Sequence, residues 1–287
     1  MLKLADFKTN EKSWWCPGCG DFGVLAALQR ALVDLGRPPH EVAIVAGIGC
    51  SGKIGNYINC YNFHVVHGRT LPTAMGLKLA NRDLTVLAAG GDGDGYAIGA
   101  GHFLHAVRRN VDITYIVMDN QIYGLTKGQV SPTSGEGFKT RTSPEGNVER
   151  PVRPLQLAIA AGATFVASGF SSDIKQLASL IQQGIEHKGF SLINVYSPCV
   201  TFNKVNTYDW FKEVLVNLDE DEKYDPTNRA AALQKLIETD EQVRGLVYKS
   251  DQPSFEEVFP GFREEPIVHQ DWTIPQEDFD KLLDRYR

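Results

Sequence analysis

The sequence predicts an α/β fold, a mostly parallel sheet flanked by helices, followed by a C-terminal extension. Three observations carry this. Short apolar β-prone runs alternate with stretches of helical period, as in Thr85–Ala89, Tyr96–Arg109 and Ile113–Met118. The two runs of that unit are apolar on both faces, as parallel strands covered by helices are. Each run closes in an acidic or amide-bearing glycine turn, Gly91-Asp92-Gly93-Asp94-Gly95 and Asp119-Asn120-Gln121-Ile122-Tyr123-Gly124. Open α/β sheets place ligands at the carboxyl ends of their strands.

The remaining elements follow in order. Trp14-Trp15-Cys16-Pro17-Gly18-Cys19-Gly20 opens the domain, and its proline and glycine force a tight loop that turns both sulfurs toward one point. Asp21 reads as an N-cap for a helix over Phe22–Leu35, stopped by Gly36 and Pro38. Glu41–Gly49 is the first strand, ending in Cys50-Ser51-Gly52-Lys53. His64–Ala80 holds His67-Gly68-Arg69-Thr70 and then a helix from Pro72. Residues 124–153 are polar, with no hydrophobic period. A loop this long inside a compact domain is functional or disordered. Leu155–Ala163 reads as a short helix and Thr164–Ala167 as a strand. Ser171–His187 reads as an amphipathic helix ended by Gly189, and Phe190–Tyr196 as the last strand, closed by Ser197-Pro198-Cys199. From Thr207 the composition changes. Asp219-Glu220-Asp221-Glu222 and scattered charges mark the extension, with one helix expected at Asn228–Thr239. The expected organisation is an α/β domain over 1–206 and an extension over 207–287 that packs on the main domain or on a partner.

Composition narrows the function. At 287 residues, 43% hydrophobic and 22% charged, the chain is globular and can bury a large core. A net charge of −6 argues against a nucleic-acid partner. No apolar run reaches the roughly 18 residues that span a bilayer. Met1–Lys12 has no apolar signal region, so a cytoplasmic protein without a membrane role is expected.

The chemistry starts at Asp92. Glycines let the backbone approach a ligand, and a helix amino terminus favours anions. Asp92 and Asp94 would nevertheless repel a bare diphosphate. A hard divalent cation between carboxylate and phosphate removes the conflict, and magnesium often bridges one or two protein groups to phosphate oxygens. Asp92 can supply a carboxylate, Asn120 a carboxamide oxygen, and Ile122 a backbone carbonyl. A lone Gly-x-Gly would be an ordinary Rossmann-like turn. A Gly-Asp-Gly one βα unit before an asparagine turn resembles the thiamine diphosphate motif.

Five cysteines then need explaining: Cys16, Cys19, Cys50, Cys60 and Cys199. In a large cytosolic chain, metal or catalytic roles outrank disulfides. The Cys-x-x-Cys alone could be a redox dithiol, a zinc half-site or an iron–sulfur half-site. Cys50 and Cys199 lie in strand-end turns and could converge on it. Zinc sites usually pair two compact knuckles, whereas here one pair is compact and two cysteines are distant, which favours a cluster. Cys60 has no evident partner and reads as a small buried hydrophobe.

With these motifs in place, the sequence resembles the β subunit of a two-subunit 2-oxoacid:ferredoxin oxidoreductase, most like those acting on 2-oxoglutarate. The residues that carry the resemblance run in order: Cys16-Pro17-Gly18-Cys19-Gly20, Ile48-Gly49-Cys50-Ser51-Gly52-Lys53, His67-Gly68-Arg69-Thr70, Gly91 to Asp94, Met118 to Gln129, and Ser197-Pro198-Cys199. The resemblance implies thiamine diphosphate, Mg2+ and a [4Fe–4S] cluster. It implies Cys16, Cys19, Cys50 and Cys199 as cluster ligands, and Asp92, Asn120 and the Ile122 carbonyl on magnesium. Ile48, Gly49, Cys50, Ser51, His67, Gly93, Asp94, Gly124 and Leu125 would line the thiamine diphosphate.

The implied reaction is oxidative decarboxylation of a 2-oxoacid with coenzyme A, run in single-electron steps to ferredoxin and reversible. Activating the thiazolium needs a carboxylate beside the aminopyrimidine, and this chain has no second domain to supply it. An α subunit with the pyrimidine domain and its glutamate is therefore expected, in an (αβ)2 assembly. Lys53 and His67 are catalytic candidates, Lys53 as a cation for an anionic substrate. Their bland readings are a solvated charge and a hydrogen-bonded core histidine.

Overall fold

The computed structural model describes residues 2–262 and 265–286. Its strands are β1 (Val42–Ala46), β2 (Tyr61–His64), β3 (Thr85–Gly91), β4 (Thr114–Asp119), β5 (Phe165–Phe170), β6 (Ser191–Tyr196), β7 (Val216–Asn217) and β8 (Val243–Lys249). They form one sheet in the order β2-β1-β3-β4-β6-β5-β8-β7. All neighbours are parallel except β5 and β8.

Alternation along the strands feeds two cores. Val86, Ala88, Tyr115 and Val117 join a cluster with helices α3 (Thr70–Ala80), α4 (Ala100–Arg109) and α5 (Pro154–Ala160). Leu87, Ala89, Ile116 and Met118 point the other way, toward α1 (Asp21–Asp34), the short α2 (Ile54–Tyr57) and α6 (Ile174–Glu186). Every residue of β1, β4, β5 and β6 is buried, as covering a parallel sheet on both faces requires. From β1 the chain runs outward to β2 and then returns to β3 on the other side of β1. The turns after β1 and β3 therefore diverge, and the crevice between them is the switch point where such sheets bind ligands.

Several expectations are corrected. Asp21 is not the N-cap of α1. Gly20 is, and Asp21 is fully buried at the first helical position. The helix expected over Tyr96–Arg109 begins as a π-helical segment, Gly93–Ile98, before α4. The Gly99 amide reaches back five residues to the Asp94 carbonyl at 3.1 Å. Such segments gather at functional sites. The region past residue 207 holds more than one helix: α7 (Tyr208–Val214), α8 (Arg229–Glu238), α9 (Phe255–Val258) and α10 (Gln276–Asp284). It also supplies β7 and β8, so the sheet itself runs past residue 207. α8 lies where the sequence places it, with the Asn228 side chain accepting from the Ala231 amide. No helix of the described residues is long and apolar enough to cross a membrane.

Candidate functional site

The turns after β1, β2, β3 and β4 meet at the switch point. They form a cleft lined by Ile48, Gly49, Cys50, Ser51, His67, Gly91, Asp92, Gly93, Asp94, Asn120, Ile122, Tyr123, Gly124, Leu125 and Thr126. All nine residues expected to line thiamine diphosphate are there. Lys53 is not. Its ammonium lies 5.8 Å from the Trp14 ring, though close enough to Cys50 to favour the thiolate.

Asp94 ties the turns together. It is 2% exposed, and its Oδ1 accepts from the Ile48 amide at 3.0 Å and the Gly68 amide at 2.9 Å. Its Oδ2 accepts from Thr70 Oγ1 at 2.9 Å. His67 Nδ1 lies 2.7 Å from Oδ1. A carboxylate can only accept, so Nδ1 carries the ring proton and the imidazole is held in one tautomer. A Cβ on Gly47 would come within 2.2 Å of Asp94 Oδ2, so only glycine fits under this carboxylate. The two acidic residues of the turn thus differ: Asp94 is consumed in holding the turns.

Asp92 sits beside Asp119, because β3 and β4 are paired up to Gly91 opposite Met118. Thr133 Oγ1 lies 2.8 Å from Asp92 Oδ2 and 2.8 Å from Asp119 Oδ1. Asn194 Nδ2 donates to Asp119 Oδ2 at 3.2 Å. Burial pushes both carboxyls upward, and for Asp119 the neighbouring charge of Asp92 adds to it. A divalent cation reverses this preference, since a bound ion is the largest charge in its site. Asn120 Oδ1 accepts from the Ile122 amide at 3.1 Å, which folds the turn so that the asparagine and the Ile122 backbone stay together. One carboxylate, one carboxamide and one carbonyl at a glycine-walled cleft suit magnesium shared with a phosphate ligand.

The four cysteines of the expected cluster converge next to the cleft. The Cys16–Cys19 loop docks on the turn after β6 through the Gly20 amide, 3.1 Å from the Pro198 carbonyl. A Cβ on Gly20 would lie 2.5 Å from Ser197 Oγ, so this contact needs glycine. Trp15 Nε1 donates to the Cys50 carbonyl at 2.7 Å and fixes the third cysteine. Gly124 faces the sulfurs: a Cβ there would lie 3.5 Å from Cys199 Sγ and 3.7 Å from Cys50 Sγ. Burial pushes the Cys50 thiol up to about 11 and the Cys19 thiol further. A coordinating metal deprotonates such thiols outright. Among the described residues, no three His, Cys, Asp or Glu side chains meet as a site for a single metal ion. Cys60 stands apart, with its Sγ 3.4 Å from the Tyr61 carbonyl.

Sequence reasoning missed four residues here. Tyr123 lines the cleft and packs over Gly93, where a Cβ would come within 2.1 Å of its ring. Asp21 lies buried beneath the thiols, with Ser197 Oγ donating to it at 2.7 Å, and burial pushes its carboxyl up to about 6. Asp119 and Thr133 were legible only as an acid ending a strand and a polar loop residue.

The model for the thiamine pyrophosphate enzyme C-terminal TPP-binding domain matches residues 46–195, more than half of the chain. The model for the C-terminal part of the pyruvate ferredoxin oxidoreductase β subunit matches residues 199–264. The chain is 42% identical over 276 residues to subunit β of 2-oxoacid:ferredoxin oxidoreductase 2 of Aeropyrum pernix, covering 91% of this chain and 89% of that one. The chain is a β subunit of the 2-oxoacid:ferredoxin oxidoreductase family. The β subunit is also 46% identical over 238 residues to the 2-oxoacid:ferredoxin oxidoreductase subunit β of Saccharolobus solfataricus, covering 82% of this chain and 76% of that one. Among solved structures it is similar to the 2-oxoglutarate:ferredoxin oxidoreductase from Magnetococcus marinus with 2-oxoglutarate, coenzyme A and succinyl-CoA bound. That similarity has a TM-score of 0.90 at 38% identity and covers 98% of this chain and 96% of the other. The β subunit therefore carries a thiamine diphosphate-binding domain and belongs with an α partner.

Proposed function

We propose that the β subunit, assembled with its α partner as (αβ)2, catalyses the coenzyme A-dependent oxidative decarboxylation of 2-oxoglutarate and hands the electrons to ferredoxin. The observation that carries this is the shared turn after β1. Ile48 to Ser51 line the cleft, while Cys50 within the same turn faces Cys199 across Gly124. This shared turn supports a carbon-centred reaction running beside an electron acceptor.

Thiamine diphosphate, when bound, supplies the electron sink for loss of CO2, and a [4Fe–4S] cluster accepts single electrons. The chain's own residues would hold these groups. Asp92, Asn120 and the Ile122 carbonyl would take magnesium, and Cys16, Cys19, Cys50 and Cys199 the cluster. His67, fixed by Asp94, lines the cleft as an imidazole of defined tautomer. The glutamate that activates the cofactor comes from the α partner. The choice of 2-oxoglutarate is supported by the ligands of the Magnetococcus marinus enzyme.

Iron and acid-labile sulfide analysis of the purified αβ protein tests the reading. Serine at Cys16, Cys19, Cys50 or Cys199 should lose iron, and Cys60→Ser should keep it. Zinc in place of iron, or equal iron in all five variants, refutes the cluster.

A further inference from the structure

We propose that Ser131–Ser134 forms a hydroxyl plug that sets the metal-binding turns, with Thr133 as the positioning residue for Asp92. The proposal rests on the reading of Asp92 as a magnesium ligand. Thr133 lies 41 residues from Asp92 in sequence, inside the long polar loop, yet it is 6% exposed and its hydroxyl reaches two carboxylates.

A hydroxyl carries one proton and can donate to only one of them. Thr133 bridges the ends of β3 and β4 and fixes which way Asp92 faces the cleft. An ion on Asp92 would hold the same arrangement from the cleft side, so the bridge and the ion favour each other. The next hydroxyl grips the other turn: Ser134 Oγ donates to the Gln121 carbonyl at 2.7 Å. Gln121 stands between Asn120 and Ile122 with φ of 57°, a left-handed conformation that costs free energy unless something holds it. The plug is braced from behind. Asn147 Nδ2 donates to the Ser134 carbonyl at 2.9 Å, and the Val152 amide donates to the Pro132 carbonyl at 2.8 Å.

Both turns that would bind the ion are thus held by one four-residue segment of a loop without regular structure. Ion binding and loop order are then linked, and the linkage is reciprocal. Magnesium with thiamine diphosphate should order the loop, and loosening the plug should weaken magnesium.

The test uses the αβ holoenzyme, stripped with a chelator and retitrated with Mg2+ in the presence of thiamine diphosphate. Calorimetry reads the Mg2+ affinity, and hydrogen exchange reads peptides spanning 131–149. In the unaltered protein Mg2+ should raise protection across that segment. Thr133→Val keeps the shape and removes the proton. It should weaken Mg2+ by about tenfold or more, the order expected for a hydrogen bond to a charged group. Its loop protection should no longer respond to Mg2+, and its iron content should not change. Thr133→Ser should restore both responses. Wild-type Mg2+ affinity in Thr133→Val overturns the proposal. So does protection lost equally with and without Mg2+, which marks mere packing. If Thr133→Val does not assemble, Ser134→Ala carries the test, and unchanged Mg2+ affinity there overturns the plug. If the unaltered protein takes up no Mg2+ with thiamine diphosphate, the reading of Asp92 falls and the plug with it, a result distinct from a loss confined to the variants.

Discussion

Asp94→Ala removes the acceptor that holds two turns at the switch point. The Ile48 and Gly68 amides and the Thr70 hydroxyl would each lose a charged partner, and at 2% exposure the carboxylate is not replaced by bulk water. A hydrogen bond to a charged group contributes about 1.5–3 kcal/mol, or roughly ten- to 150-fold in an opening equilibrium. The His67 contact counts for less, because that side chain is 35% exposed. The Ile48 and Gly68 amides should therefore exchange about ten- to 150-fold faster, each by its own lost bond. Asp94→Asn keeps one oxygen where both amides point and turns its NH2 toward Thr70, whose hydroxyl can accept. It should lose only a few-fold, by the same reasoning. Hydrogen exchange on peptides spanning 47–53 and 66–71 measures both variants, with 165–170 as a control that should not move. Unchanged exchange in Asp94→Ala refutes the hub. Equal damage in both variants would place the effect in the charge rather than in the acceptor geometry.

Three further outcomes are expected. Asp92→Ala should make thiamine diphosphate affinity independent of Mg2+ while leaving iron in place, and a surviving Mg2+ dependence would refute Asp92 as the ligand. Because Lys53 lies outside the cleft beside the Trp14 ring, Lys53→Met should leave KM for 2-oxoglutarate and for 2-oxobutyrate little changed. Steady-state kinetics on both substrates decides, and a rise of about ten- to a hundred-fold for 2-oxoglutarate alone would instead make Lys53 the partner of its distal carboxylate. Glu241 caps α5, accepting from the Gln156 amide at 2.7 Å, and burial pushes its carboxyl from 4.5 up to about 7. The folded chain keeps this proton after the unfolded chain has released it. Stability should therefore fall as pH rises from 4.5 to 7 and level off above, by about 3 kcal/mol in all. Urea midpoints across that range should lose this slope in Glu241→Gln, and an unchanged slope would assign it elsewhere.

The parts of the molecule legible in the sequence are those written locally. β3, β4 and their turns form one βα unit whose apolar runs and glycines lie close together along the chain, and they bring Asp92 and Asn120 to adjacent strand ends. The cysteine loop is legible as a tight turn, but the place of Asp21 is not. Following Gly20, it suits a cap, whereas it lies buried against Ser197, a contact no local pattern announces. β8 is not legible because its partner β5 lies far back along the chain and its alternation is broken by a bulge at Val247, opposite Val166 and Ala167. β2 is hidden for another reason: all four of its residues are exposed, so it has no apolar signature. Thr133 shows the limit most clearly. Nothing in a polar loop says which of its hydroxyls will be folded back under a carboxylate.

The placement of β8 also bears on what the chain can lose. Without it, β5 would end the sheet as a six-residue strand with a free row of amides and carbonyls, the kind of edge that recruits strands from other molecules. β8 covers that row, and its own outer side meets only the two residues of β7. The far side of the sheet ends in the four-residue β2. A chain stopped just after Cys199 would keep every residue of the cleft and all four cysteines, yet it would leave β5 bare. Such a fragment should self-associate before its chemistry could be measured.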